Sequence, residues 1–367
     1  MLRLRMMRAP QKYVQGKESL LQFHKEMTSL GDKWLFICSR SGYKMAHDKI
    51  EKSFEGTSDV RQYEIFGGVS STGEIEKMRE IVRENHLNVV VGVGGGSAID
   101  TAKATAHYEK LPVVIVPTVV ATDAPCTGLS VIYNDDETFN SYLFYPKNPE
   151  AVIVDSAIIA NAPVRFLVAG MGDALGTYFE ARACERTDAP SLESGGITQS
   201  AMALCRLCYD TLKEYGASAK KACECHVVTP ALEAIIEASV YLSGVDADNG
   251  GLAVAHSFYN GLTALGGHSA PHGNCVAFGT LVQLVLERAS KEEFKEVQNF
   301  CMEVGLPVTL EEIGITKDEE IRIIAEKSCV EGESIHNMVA DVTPDQLYAA
   351  IVAADALGKE ALAEKEK

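Results

Sequence analysis

The sequence has no long uninterrupted apolar run. No segment approaches the roughly 18 to 20 apolar residues that span a membrane. Residues 1–16 are interrupted by charge at short intervals, so they lack the apolar stretch of a secretory signal. We therefore expect no membrane association and a cytoplasmic location, where the ten cysteines would remain thiols.

Basic residues are scarce relative to acidic ones. The 34 lysines and arginines face 51 aspartates and glutamates, which leaves a formal net charge of −17. A field of that sign repels phosphate backbones and anionic membrane surfaces on average. We therefore expect no nucleic-acid partner.

The cysteines lack the spacing of a known zinc module. Cys205 and Cys208 fall in residues 197–216, at the spacing of a buried stripe on one helix. Cys223 and Cys225 form the other close pair. We interpret these thiols as core packing, and a metal between the two pairs is the less favoured alternative.

Apolar side chains, by contrast, are plentiful. The chain is 46% hydrophobic over 367 residues, which excludes a wholly disordered protein. At roughly 150 residues per domain, this length predicts two domains. Short runs rich in β-branched residues alternate with amphipathic segments, which indicates a parallel sheet covered on both faces. The predicted buried strands are residues 34–39, 60–66, 87–94, 111–118 and 151–159.

Two other features complete the predicted organisation. Asn134, Asp135 and Asp136 separate two alternating runs, which predicts an antiparallel hairpin flanking the main sheet. After Pro163 nearly every segment has helical periodicity. We therefore predict a Rossmann-like α/β dinucleotide-binding domain over residues 1–162 and an all-helical metal and substrate domain over residues 163–367.

A glycine-rich turn joins one predicted strand to the next helix. Residues 92–96 contain four glycines, which let backbone amides approach a phosphate closely at a helix N-terminus. Ser97 and Asp100 have the spacing of a capping pair. A pyrophosphate suits this environment, and a tight turn without ligand is the alternative. No Lys followed by Ser or Thr comes after the glycines, which disfavours an ATP-type loop.

The strand over residues 34–39 lacks a terminal acidic residue. In a dinucleotide site such a residue accepts from the adenosine ribose hydroxyls. Here Ser39 and Arg40 stand at that point, a pair that suits a 2′-phosphate as well as a free hydroxyl. NADP is therefore possible beside NAD, and a surface arginine in a turn is the alternative interpretation.

Three polar residues interrupt apolar segments of the helical half. Burial of the Asp173 carboxylate there would cost free energy unless it is paired or bound to a metal. His256 taken alone is more typical of a hydrogen-bonded core residue. His272 begins a new apolar helix after Pro271. Together, one carboxylate and two imidazoles predict a divalent metal site with positions open for substrate. His268 is a further candidate metal ligand. A role in the loop, or a contact with one of the three metal-binding side chains, is favoured for it over direct metal binding.

The segment Gly267 to Pro271 also has the outline of a hydrolase nucleophile elbow around Ser269. Pro271 replaces the final glycine of that motif, and no strand precedes the segment. The sequence therefore disfavours serine-hydrolase chemistry.

The chain resembles the glycerol dehydrogenases of the iron-containing, or metal-dependent, alcohol dehydrogenase superfamily. The blocks that carry the resemblance extend through most of the chain, and TDAP with GLSVIY is the most specific pair. The blocks are APQKYVQG, GGGSAIDTAKA, VPTVVATDAPCTGLSVIY, NPEAVIVDSAIIANAP, GDALGTYFEAR, NGLTAL and PHGNCVAFGTL.

The resemblance implies a dehydroquinate synthase-like two-domain fold, NAD, one zinc ion and oxidation of a vicinal diol. It implies Asp173, His256 and His272 as the metal ligands, and Asp123 as a carboxylate that contacts the polyol. The implied cofactor-binding positions are Ser39, Gly94, Gly95, Gly96, Ser97, Thr118, Ala121, Thr127, Leu129 and Tyr133.

This sequence departs from the family pattern at four positions. Relatives commonly have Lys at Ser97, Ser at Ala121 and Asp at Ser39, so the preference between NAD and NADP stays open. Iron-using relatives have a histidine where this chain has Thr177. Three ligands rather than four favour zinc.

The expected reaction is oxidation of glycerol, or a related diol, to dihydroxyacetone or another hydroxyketone by hydride transfer to NAD. A small polyol is the expected partner, and a homo-oligomer the expected assembly. A related NAD(P)-dependent alcohol or hydroxycarboxylate dehydrogenase is an alternative. Dehydroquinate synthase-like and glycerol-1-phosphate dehydrogenase activities would need more basic residues than Arg165 and Arg182 near the metal. A non-enzymatic protein whose three ligands only tie helices together is the remaining alternative.

Overall fold

The computed structural model describes residues 3–192, 194–266 and 270–365. The chain divides into two compact units. The sheet unit comprises residues 8–167 and 221–244, and the helical unit comprises the described parts of residues 1–7, 168–220 and 245–367. The predicted single boundary at residues 162 and 163 therefore differs from this division in three places. The described part of residues 1–7 belongs to the helical unit, the chain changes unit between residues 167 and 168, and residues 221–244 belong to the sheet unit.

Six parallel strands form the main sheet, in the order β1-β8-β5-β4-β2-β3. Their bounds are β1 Lys12–Gly16, β2 Lys33–Cys38, β3 Val60–Ile65, β4 Val89–Gly94, β5 Val113–Pro117 and β8 Ala151–Asp155. Strand β1 is not among the strands predicted from the sequence. This strand lies at the edge of the sheet and is partly exposed along its length, so its residues form no apolar run that would reveal it.

The predicted hairpin is confirmed. Strands β6 Leu129–Tyr133 and β7 Phe139–Phe144 pair antiparallel across the turn that contains Asn134. They form a separate two-stranded sheet rather than an extension of the main one. Between β5 and β6 the chain runs through bends and turns, and we call residues 118–128 the connecting segment.

The helices cover the sheet and make up the helical unit. In chain order they are α1 Phe23–Met27, α2 Arg40–Ser53, α3 Thr72–Asn85, α4 Gly96–Glu109, α5 Ser156–Ala160, α6 Val164–Thr187, α7 Gln199–Glu224, α8 Pro230–Ile236, α9 Ser243–Gly250, α10 Val254–Thr263, α11 His272–Leu286, α12 Lys291–Val304, α13 Asp318–Ser328 and α14 Pro344–Lys365. A π-helical turn, Glu237–Leu242, joins α8 to α9. Among the described residues, no helix is both long and apolar enough to cross a bilayer.

The core of the sheet unit is aliphatic with an aromatic centre. Phe23 packs edge-on against Trp34 with the ring centroids 5.7 Å apart, and both rings are fully buried. Every residue of β4 and β5 is buried, as their near-continuous valine and isoleucine content predicts. In the helical unit, Cys205 and Cys208 are buried on α7, which confirms their role in packing.

Candidate metal centre and nucleotide-binding turn

One carboxylate and two imidazoles converge in the helical unit. Nε2 of His272 lies 3.0 Å from Oδ1 of Asp173, and Nε2 of His256 lies 3.5 Å from the same oxygen. One ligand atom from each of the three side chains lies within 4.8 Å of the others. In the described part of the chain, no other set of His, Cys, Asp and Glu side chains meets this condition. The structure thus brings together the three residues that the sequence predicts as metal ligands.

Glycines explain why α6 and α11 approach closely enough for this. A Cβ atom built on Gly172 would overlap the carbonyl oxygen of Gly273, and one built on Gly273 would overlap the carbonyl oxygen of Ala169. The two backbones are therefore in direct contact. Asp173 and His272 are the chain neighbours of these glycines, so close helix packing sets them opposite each other. Gly279 allows α10 a similar approach, because a Cβ there would lie 2.7 Å from the carbonyl oxygen of Ala255.

Replacing Gly273 by alanine should separate these helices. The added methyl group has no space beside Ala169, and overpacking of this kind costs about 1–3 kcal/mol. We expect a lower melting temperature together with weaker metal binding, measured by thermal denaturation and by zinc titration against a chelator. Gly196→Ala is the matched control, because its nearest neighbour would lie 3.6 Å away. Unchanged metal affinity in Gly273→Ala would show that the close crossing does not set the ligand geometry.

Glu180 is a residue of this site that the sequence analysis missed. It is fully buried, and its Oε2 accepts a hydrogen bond of 2.6 Å from Nδ1 of His256. Its Oε1 accepts from the backbone N–H groups of Ala253, at 2.8 Å, and His256, at 2.9 Å, where α10 begins. This carboxylate therefore fixes both the helix end and the imidazole orientation, leaving Nε2 directed toward Asp173. Its signal in the sequence is the seven-residue spacing from Asp173, two turns along one helix face.

The electrostatics of the cluster favour positive charge at its centre. Burial alone would raise the pKa of Asp173, but the neighbouring His272 and His256 outweigh it and hold that pKa well below its ordinary value. Burial would lower the pKa of His256, but the carboxylates of Glu180 and Asp173 raise it well above its usual range. Two carboxylates thus stabilise cationic charge here, and the donor set of one oxygen and two nitrogens fits a divalent metal ion.

Two further side chains define the surroundings of the cluster. The ring of Tyr259 meets the imidazole of His272 edge-on, with centroids 4.2 Å apart, and so restricts its rotation. The hydroxyl of Thr177 donates to the carbonyl oxygen of Ala174 at 2.8 Å, within its own helix. Thr177 therefore offers no imidazole as a fourth ligand, and its hydroxyl is engaged in the helix backbone.

The glycine-rich turn lies in the sheet unit, between β4 and α4. Gly94 has φ 155°, and a Cβ there would lie 2.8 Å from Oγ of Ser39, so a side chain is excluded at this point. Gly96, which begins α4, faces open space. The N-cap is Gly95, which has no side chain to accept from the first-turn N–H groups. Accessible N–H groups at a helix N-terminus fit the pyrophosphate of a dinucleotide.

The predicted capping pair is wrong. Ser97 lies inside the first turn of α4, and Asp100 is directed elsewhere. Its Oδ2 accepts from the backbone N–H of Val131 at 3.2 Å, and its Oδ1 lies 3.3 Å from Nζ of Lys103. The helix begins at Gly96, with Gly95 as the N-cap, so Ser97 is already helical and cannot cap it. The spacing of Ser97 and Asp100 therefore does not indicate a capping pair here.

Two other candidate cofactor positions, Ser39 and Thr118, lie beside this turn. The backbone N–H of Thr118 donates to the carbonyl oxygen of Gly94 at 3.0 Å. Ser39 is the N-cap of α2, and its hydroxyl accepts from the N–H of Gly42 at 3.0 Å. The structure thus places Ser39, Gly94 and Thr118 side by side. Ala121 and Thr127 lie in the connecting segment, and Leu129 and Tyr133 bound β6.

Asp123 also lies in the connecting segment. Its Oδ2 accepts from the hydroxyl of Ser243 at 3.4 Å. Asp123 belongs to the sheet unit, whereas the three candidate metal ligands belong to the helical unit. His268, with Gly267 and Ser269 of the rejected elbow motif, lies outside the described residues.

Comparison with known proteins gives a consistent result. Residues 10–156 match the family model for iron-containing alcohol dehydrogenase. A glycerol dehydrogenase of Escherichia coli O6:H1 is 48% identical over 365 residues, 99% of this chain and 100% of that protein. A glycerol dehydrogenase of Pseudomonas putida is 46% identical, over 97% of this chain and 98% of its own. The crystal structure of glycerol dehydrogenase from Schizosaccharomyces pombe superposes with a TM-score of 0.94 at 36% identity, covering 99% of this chain and 93% of that one.

An α/β unit with a glycine-rich turn, together with a helical unit carrying a cluster of two histidines and an aspartate, defines a metal-dependent dehydrogenase architecture. The chain belongs to the iron-containing alcohol dehydrogenase family and is an oxidoreductase. The resemblance and the fold class inferred from the sequence are confirmed.

Proposed function

We propose that this enzyme oxidises glycerol or a closely related vicinal diol, with zinc as its metal and NAD as its hydride acceptor. Glycerol would give dihydroxyacetone. The observation that carries the proposal is the cluster of Asp173, His256 and His272, whose ligand atoms lie within 4.8 Å of one another. Two relatives that match nearly the whole chain are glycerol dehydrogenases, which supports the choice of substrate.

The chain's own residues divide the work between binding and orientation. Asp173, His256 and His272 would hold the metal and leave coordination positions for two adjacent hydroxyls. Glu180 keeps Nδ1 of His256 occupied, so that Nε2 stays available as a ligand. When bound, the metal supplies Lewis acidity toward a substrate hydroxyl, and the nicotinamide accepts the hydride.

The residues of the sheet unit would bind the cofactor and orient the polyol. The first-turn N–H groups of α4, reached over Gly95 and Gly96, would hold the pyrophosphate. Thr118, Thr127, Leu129 and Tyr133 would line the ribose and nicotinamide. The carboxylate of Asp123 would accept from a polyol hydroxyl and pass the released proton toward solvent. Holding the carbon and the nicotinamide at reacting distance is the main contribution of the protein.

Zinc rather than iron is proposed because of the donor set. Three ligands with open positions are typical of catalytic zinc. At the position where iron-using relatives have a fourth ligand, the hydroxyl of Thr177 is bonded to Ala174.

A neutral polyol is favoured over a phosphorylated substrate. On α6, the helix of Asp173, Arg182 is bound in ion pairs with Glu287, at 2.6 Å, and with Glu293. Arg165 stacks over the ring of Phe166. A phosphate group would need cationic partners that are not already neutralised.

A steady-state panel tests the proposal. Glycerol, 1,2-propanediol, 2,3-butanediol, a hydroxy acid and glycerol 1-phosphate would each be assayed with NAD and NADP. The assays would be repeated after chelation and after restoration with zinc or iron. We expect the highest kcat/KM with a vicinal diol and NAD, loss on chelation, and recovery with zinc. Highest activity with glycerol 1-phosphate, or recovery with iron alone, would overturn the corresponding part of the proposal.

Replacing Ser39 by aspartate should strengthen the preference for NAD. Aspartate is as good an N-cap as serine, so α2 should keep the bond to Gly42. Its charge would repel a 2′-phosphate and accept from the ribose hydroxyls. We expect the ratio of kcat/KM for NAD to that for NADP to rise about tenfold, or ~1.4 kcal/mol. Ser290→Asp, at the N-cap of α12 in the other unit, is the matched control. An unchanged ratio would place Ser39 away from the adenosine ribose.

A further inference from the structure

A lysine that belongs to none of the candidate sites is buried beneath the connecting segment. Lys103 lies on α4, seven residues after Gly96, and is only 2% exposed. Taking an ammonium group out of water is costly unless its charge and donors are satisfied. Methionine would fill a similar volume without that cost. The charge at this position therefore calls for an explanation other than packing.

The partners of this ammonium group are the main-chain oxygens of the connecting segment and its junction with β6. Nζ of Lys103 donates to the carbonyl oxygen of Ala124 at 3.0 Å and to that of Leu129. It also lies 3.4 Å from both the carbonyl oxygen and the hydroxyl of Thr127. Backbone carbonyls in an irregular segment have no ladder partners and need donors from elsewhere. Lys103 supplies such donors at three successive points.

Asp100 completes the attachment from the same face of α4. It lies one turn before Lys103, with Oδ1 3.3 Å from Nζ, and its Oδ2 accepts from the N–H of Val131. The hydroxyl of Ser130 donates to the carbonyl oxygen of Asp100 at 3.3 Å. Within residues 124–131, Lys103 thus binds carbonyl oxygens and Asp100 binds a backbone N–H group.

We propose that Lys103, paired with Asp100, is a positioning residue that fixes residues 124–131 on α4 and so sets Asp123, Thr127 and Leu129 relative to the glycine-rich turn. The inference rests on the proposed function, since it assigns cofactor and polyol contacts to that segment. Lys103 itself is buried beneath the segment, so it would act through the segment and not on the ligands directly. A misplacement of about 1 Å at a reacting group can cost on the order of 100-fold in rate.

The test uses Lys103→Met, which keeps the length of the side chain and removes its donors. Lys110→Met, exposed at the C-terminus of the same helix, is the matched control. In hydrogen–deuterium exchange of the unliganded protein, we expect amides 124–131 to exchange faster in Lys103→Met, with those of α11 unchanged. We expect kcat/KM for NAD to fall on the order of 10- to 100-fold, with the bound metal per chain unchanged.

Amide exchange at residues 124–131 and affinity for NAD, measured together, decide the matter. Faster exchange at residues 124–131 together with weaker NAD binding, measured by fluorescence well below the melting temperature, supports the proposal. A lower melting temperature with unchanged exchange and unchanged NAD affinity overturns it, because a merely structural lysine would behave in that way. If Lys103→Met does not fold, Asp100→Asn gives the same reading, since faster exchange at residues 124–131 supports the proposal and unchanged exchange overturns it. Failure of the wild-type protein to bind NAD would refute the proposed function, whereas the exchange result would stand.

Discussion

Replacing Asp173 by alanine is expected to remove the bound metal and the turnover together. Asp173 is the only anionic member of the cluster, and both imidazole Nε2 atoms lie within 3.5 Å of its Oδ1. Without it, two imidazoles remain, too few ligands for a stable zinc site. Loss of Lewis-acid stabilisation worth several kcal/mol corresponds to a fall in kcat on the order of 10³-fold or more. Metal analysis after dialysis and steady-state assays measure the two effects separately.

The control for this variant is Asp345→Ala, which removes an exposed carboxylate at the start of α14. It should keep both metal and rate. Circular dichroism would show whether Asp173→Ala retains its helices. We expect that it does, because the backbones of α6 and α11 also pack directly against each other at Gly172 and Gly273. A folded Asp173→Ala protein with full turnover and no metal would refute the proposed chemistry.

Much of the fold could be predicted because its signals are local. Strands β2, β4, β5 and β8 are short apolar runs between amphipathic segments, and the hairpin has a turn rich in Asn and Asp. The sequence predicts β3 as a buried strand as well, but it lies at the edge of the sheet and is partly exposed, so the prediction of its burial is wrong. The three candidate ligands could be found because each is a polar residue in an otherwise apolar helical segment. Burial of such groups is costly, so their presence indicates a compensating partner.

The missed features depend on contacts between residues distant in the chain. Edge strand β1 has no apolar run, and only its pairing with β8 identifies it. Residues 221–244 have helical periodicity, so the sequence predicts them as part of the helical domain. Their place in the sheet unit comes from bonds such as those of Glu233 with Gln15, at 2.5 Å, and Ser156, at 2.5 Å. In the sequence, Lys103 and Glu180 have the pattern of ordinary charged residues on a helix. Only the structure shows that they are buried and bonded to residues distant in the chain.

Replacing Glu180 by glutamine is expected to weaken metal binding while leaving the helices intact. The oxygen of the new amide can still accept from the N–H groups of Ala253 and His256 at the start of α10. Its NH₂ group, however, would face Nδ1 of His256 and donate to it. In the neutral imidazole the proton would then lie on Nε2, where the metal needs a lone pair.

We therefore expect zinc affinity to fall by about 10- to 100-fold, the usual cost of losing a partner that orients a ligand. Competition with a chromophoric chelator measures this affinity without reference to catalysis. At saturating zinc, kcat should recover in large part, because Asp173 and His272 are unaltered. Glu185→Gln, an exposed position on the same helix, is the matched control and should bind zinc like the wild type. Equal zinc affinity in Glu180→Gln would mean that the hydrogen bond at Nδ1 does not select the tautomer of His256, and that this carboxylate serves only to cap α10.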